Sequence, residues 1–162
     1  MFQRLLLLCV FCAVFATAAA AEATVGGIGP RVGFSSDPDQ IVFGGQAIIG
    51  EIAPQITFDP NLEFGFGDHQ TIIAANFDMH YHFDIEGTAW RPYAGAGIGL
   101  NFIEFDNGAF SNESDTEVGG NLILGAGIPT QAGNRFFGEL KFGLGDIPTL
   151  KLLVGWNFKL SP

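Results

Sequence analysis

From about residue 23 to residue 160 the chain reads as short segments in which apolar and polar positions alternate one for one. The stretch NFDMHYHFD is the clearest: Phe77, Met79, Tyr81 and Phe83 alternate with Asn76, Asp78, His80, His82 and Asp84. A period of two is that of a β-strand with one apolar and one polar face. Turn residues cut the chain into eight such segments. They run from about Ala23 to Ser35, Ile41 to Ile52, Ile56 to Gly67, Thr71 to Asp84, Tyr93 to Phe105, Val118 to Ile128, Arg135 to Gly145 and Leu150 to Leu160. The third carries Pro60, where a bulge or interruption is expected. The longest connection is DNGAFSNESDTE, from Asp106 to Glu117, an acidic loop.

Each clear strand has one almost wholly apolar face. Ala94, Ala96, Ile98, Leu100 and Phe102 oppose Tyr93, Gly95, Gly97, Gly99 and Asn101. Leu150, Leu152, Val154, Trp156, Phe158 and Leu160 oppose Lys151, Asn157 and Lys159. Two closed barrels fit this pattern. A soluble one turns its apolar face inward around a ligand; a membrane one turns it outward to lipid and fills its lumen with the polar face. A soluble exterior is dense in Lys and Glu. Here the polar face is mostly Gly, Asn, His and scattered single charges, and aromatic residues lie near strand ends, as interfacial girdles require. The pattern therefore predicts an all-β, eight-stranded antiparallel up-and-down transmembrane β-barrel.

Composition agrees. The opening MFQRLLLLCVFCAVFATAAAAEA, with Arg4 before an apolar run and small residues after it, has the form of a secretory signal peptide. This divides the chain into a signal peptide, 1–21, and a barrel domain, 22–162. Cys9 and Cys12 leave with the signal, so the exported chain has no disulfide, thiolate ligand or cysteine nucleophile. Without Arg4, six Lys and Arg face seventeen Asp and Glu, a net charge of −11. An acidic chain without a basic stripe is a poor binder of nucleic acid. All 23 glycines follow the signal, too many for helices, and no apolar run there is long enough for a membrane helix.

The segments RPYAGAGIGLNF (Arg91 to Phe102) and ELKFGLGDIPTLKLLVGWNF (Glu139 to Phe158) resemble the small OmpA/OmpX-type and related porin-like outer-membrane barrels of Gram-negative bacteria. The resemblance implies localisation in the outer membrane, with both termini in the periplasm. Strand parity then puts SDPDQ, GDHQ, the acidic loop and GDIPT outside. The last strand resembles that family's assembly signal, with Leu150, Leu152, Val154, Trp156 and Phe158 matching, which implies recognition by the barrel-assembly machinery.

The polar row Asp78, His80, His82 and Asp84 is the main candidate chemistry. Same-face neighbours on a strand are about 6.6 Å apart at Cα, close enough for two imidazoles to share a zinc ion. The opposing expectation is lumen filling, the carboxylates and imidazoles being paired with Arg31, Lys141 or Lys151. No serine lies in the histidine strand, and Ser35, Ser36, Ser111 and Ser114 fall in loop regions. The glycines Gly95, Gly97 and Gly99 lack the spacing of a nucleotide loop. The sequence thus favours a barrel without catalytic activity or cofactor, in a structural or surface-contact role. A narrow porin for water or small ions, and a metal-binding or lipid-modifying barrel, are the alternatives.

Overall fold

A computed structural model describes residues 25–67, 70–106 and 112–160; the expected signal peptide lies outside them. Its strands are β1 (Val25–Ser36), β2 (Gln40–Ala53), β3 (Ile56–Gly67), β4 (Gln70–His82), β5 (Arg91–Asp106), β6 (Asn112–Pro129), β7 (Arg135–Leu144) and β8 (Leu150–Lys159). Each pairs antiparallel with the next, and β8 pairs with β1 to close the barrel. Closure leaves no open edge along the wall, which a bilayer demands.

Burial is inverted relative to a soluble protein. Glycine and proline aside, seventeen of the described buried residues are polar or charged and eight are apolar. The exposed set includes Val32, Phe34, Ile41, Phe43, Leu62, Phe66, Ile98, Leu122, Leu140, Leu152 and Val154, from every side of the barrel. The apolar face of each strand therefore points out, and the polar face fills the lumen.

Two expectations on the strands need correction, and a third holds on one side of its strand. Pro60 leaves β3 paired continuously with β4 through Pro60 and Phe77, but the ladder with β2 lapses there, between Asn61 opposite Gln46 and Phe58 opposite Ile49. Register shifts lie on β2, between Ile49 and Glu51 and between Glu51 and Ala53, and on β1 between Val25 and Gly27. The fourth strand ends at His82, so Asp84 lies beyond it. The sixth begins at Asn112, six positions before Val118, with Phe102 opposite Thr116 and Asp106 opposite Asn112. Most of the expected acidic loop is therefore a continuation of the β5–β6 hairpin, and residues 107–111 of it lie outside the described residues.

At the N-terminal end, β4 and β5 are joined by a turn through Gly87, whose φ of +79° lies in the region that favours glycine. At the opposite end the β7–β8 connection folds inward: Ile147 and Pro148 are buried, while Asp146 beside them is exposed.

Candidate functional site

The lumen holds the chemistry. Arg31 on β1 is its hub. Its Nη2 is paired with Glu139 on β7, its Nε lies 3.3 Å from Glu63 on β3, and its Nη1 donates to Gln46 on β2 at 3.0 Å. The guanidinium also sits 5.7 Å from the centre of the Phe137 ring. Glu63 in turn accepts from Lys151 on β8 at 2.7 Å and lies 3.5 Å from Lys141 on β7. Lys141 reaches Asp78 on β4 at 2.8 Å.

Amides extend the network. Asn61 donates to Asp78 (2.8 Å), Asn76 to Asn61 (2.9 Å) and Asn121 on β6 to Asn76 (3.0 Å). Gln46 donates to Asn157 at 2.9 Å, and the Tyr93 hydroxyl on β5 donates to Glu139 at 2.9 Å. One connected set of polar contacts therefore touches all eight strands. Buried charges are tolerated when paired and hydrogen-bonded; the charges named here are each paired with an opposite charge and hydrogen-bonded, although Arg31 Nε itself has no hydrogen-bond acceptor. Lumen glycines make the room: a Cβ at Gly97 would meet the Asp78 carboxylate and the Phe77 carbonyl.

The histidines lie nearer the N-terminal end. His80 Nδ1 is 2.5 Å from Asp59 Oδ2, and its ring stacks on Tyr93 with centroids 4.7 Å apart. Thr57 Oγ1 donates to Asp59 Oδ2 at 3.0 Å and also lies 3.0 Å from His82 Nε2. Since the hydroxyl proton goes to Asp59, the His82 contact requires Nε2 to be the donor. The four candidate ligands are thus divided. Asp78 belongs to Lys141, His80 to Asp59 and His82 to Thr57.

Asp84 departs from the expected lumen row altogether. It is exposed outside the barrel end, 2.8 Å from Arg91 Nε, and accepts from Gln55 at 3.1 Å. The Gln55 amide, and then Arg91, hold its carboxyl below the usual aspartate range. Among the described residues no three His, Cys, Asp or Glu are grouped to hold a metal ion.

The described serines stand apart from the histidines. Ser35 Oγ donates to the Pro38 carbonyl at the far end of the barrel, and Ser114 is exposed on β6. Of the expected counterions, Lys141 pairs with Asp78 as read, whereas Arg31 and Lys151 pair with glutamates. Sequence reasoning missed Asp59, Thr57 and Glu63 as lumen groups, although the alternation Thr57, Asp59, Asn61, Glu63 along β3 carries the signal.

No protein-family model matches the chain, and no curated protein matches it in sequence. Solved structures do. The N-terminal β-barrel domain of Pseudomonas aeruginosa OprF is similar, with a TM-score of 0.64 at 17% identity, over 83% of this chain and 98% of that one. Neisserial surface protein A has a TM-score of 0.66 at 15% identity, over 83% and 95%. The outer membrane enzyme PagL has a TM-score of 0.51 at 11% identity, over 83% and 99%. These likenesses match the resemblance read at Arg91 to Phe102 and Glu139 to Phe158 at the level of fold. Fold and apolar exterior together describe an eight-stranded transmembrane barrel, similar in architecture to these outer-membrane barrels.

Proposed function

We propose that the protein is a non-enzymatic outer-membrane barrel with a sealed lumen, acting in envelope integrity or surface contact. The observation that supports this is the single polar network from Arg31 to Asn121, which ties all eight strands together across the space a pore would need. An eight-stranded interior is just wide enough for side chains to fill. At the end opposite the N-terminus, Ile147 and Pro148 are folded in over it. In this reading residues 1–21 direct export and are removed, and β8 is the element presented to the assembly machinery. His80 and His82 act as lumen filling, held by Asp59 and Thr57.

Planar-bilayer recording tests the sealed lumen. The expected result is no stepwise current from the wild type; reproducible channels of uniform conductance overturn the reading in favour of a narrow porin. Mass spectrometry of lipid A and phospholipids, with and without the gene, tests the absence of catalysis, and a lipid product that depends on the gene overturns it. Loss of the gene is expected to raise sensitivity to detergents or to weaken adhesion to surfaces.

A further inference from the structure

Among the described residues, the rim opposite the N-terminus has one break. Around it the strands pair to their ends: Ser35 with Gln40, Gln40 with Gly67, Gly67 with Gln70, Gln70 with Phe105, and Ser36 with Leu150. Between β6 and β7 the ladder stops at Gly120 and Leu144, while β6 continues back to Asn112 against β5. The β7–β8 connection reaches β6 at Gly119, where Ile147 lies against it. From Asn112 to Glu117 the strand therefore has β5 on one side and no described strand on the other, a free edge of about 20 Å.

Such an edge offers backbone donors and acceptors that no described strand has taken, a ready template for another strand. Its side chains say which strand fits. Glu113, Asp115 and Glu117 alternate along it with Ser114 and Thr116. Asp115, Ser114 and Thr116 are exposed, and the Asp115 carboxylate already holds the Thr116 N–H at 2.7 Å. Among the described residues no Lys or Arg stands beside Asp115 or Glu117. Arg31, Lys141 and Lys151 are committed to the lumen, and Arg91, Arg135 and Lys159 stand at the other end of the barrel. A second copy of the same edge would set like charges opposite one another, which is destabilising. An anionic headgroup would be repelled in the same way.

We propose that the free edge of β6 from Asn112 to Glu117 docks an extended peptide carrying Lys or Arg at alternate positions, added as a further strand beside the hairpin. The basic residues fall opposite Asp115 and Glu117, and the backbone supplies the ladder. The inference rests on the surface-contact reading and names the chemistry of the partner.

The test is fluorescence anisotropy with the intact barrel in zwitterionic lipid nanodiscs, which expose both ends of the molecule. The probe is a short peptide alternating Lys with Thr. One control has the same composition with its lysines in a block; another has the alternating order with every backbone amide N-methylated. The alternating peptide is expected to bind about tenfold more tightly than the block peptide, as two cross-strand charge pairs allow. N-methylation should remove the advantage. Asp115→Lys/Glu117→Lys should lose the Lys peptide and gain a Glu–Thr alternating one, with unchanged heat-modifiable migration showing an intact barrel. Equal binding of all three peptides, or none by the alternating one, overturns the inference. Either failure leaves the sealed lumen standing, since bilayer recording reads that separately.

Discussion

Lys141 Nζ lies 2.8 Å from Asp78 Oδ2, so a side chain of β7 is fastened to one of β4 across the interior of the barrel. Neither residue has a water-exposed route to charge compensation; both are fully buried. Removing one partner of a buried pair leaves an uncompensated charge and costs about 3–5 kcal/mol. Lys141→Met is expected to lose stability on that scale in urea-driven unfolding from lipid vesicles. Lys141→Met/Asp78→Asn should lose less than Lys141→Met alone. Additive losses in the double variant would mean that the two residues are not coupled.

The wall is tested at two outward residues of β8. Val154 sits mid-strand opposite Val32, and Phe158 near the N-terminal end opposite Ile28. An Arg facing lipid costs roughly 2–4 kcal/mol at the midplane and about 0–1 near the interface. Val154→Arg should therefore destabilise refolded barrels clearly more than Phe158→Arg. Equal penalties would show the wall to be assigned at the wrong depth.

Two glycines separate lumen from wall. At Gly97 a Cβ would lie 2.7 Å from the Phe77 carbonyl and also meet the Asp78 carboxylate, whereas at Gly138 it meets nothing within 4 Å. Gly97→Ala is expected to cost about 1–3 kcal/mol by overpacking. Gly138→Ala should stay within about 0.5 kcal/mol. Chemical denaturation of both in the same vesicles makes the comparison.

Asp84 gives the pH dependence. Its carboxyl is held below the usual aspartate range by Gln55 first and Arg91 second. A depressed carboxylate adds stability above its unfolded pKa, and that contribution disappears as the pH falls through the folded value. NMR titration should place the Asp84 midpoint below the ordinary aspartate value, and Gln55→Ala should move it up. Because the group is exposed, the effect on stability should be small and should fade with added salt. A midpoint insensitive to Gln55→Ala would remove the amide as its cause.

What was legible in the sequence follows from what has a period. The outward row of β5 and the inward row Asp78, His80, His82 are one-strand patterns, and alternation revealed them. Arg31 with Glu139 was not legible, because the two strands are not neighbours and β8 lies between them. Asp84 was misread because alternation in sequence runs past the point where pairing stops: the turn at Pro54 and Gln55 ends the β3 ladder at Ile56 opposite Tyr81. The start of β6 was missed for the converse reason. Residues 112–117 are polar on both faces, so no apolar row marks them, and the strand exists there because β5 lies alongside.

The ladder between β1 and β8 differs from the other seven in one respect: it joins the first strand to the last, pairing Gly27 with Lys159 and Ser36 with Leu150. Every other ladder joins consecutive strands and can form locally as a hairpin. This one waits for the last strand, and contacts so distant along the chain are slow to form. Until it forms, β1 and β8 each present a row of unsatisfied backbone groups that hydrocarbon does not tolerate. The seam thus sets an order of events: hairpins first, then closure, with the completed wall only at the end. How long the chain remains an open, curled sheet is decided there, and so is how long it needs shelter from its neighbours.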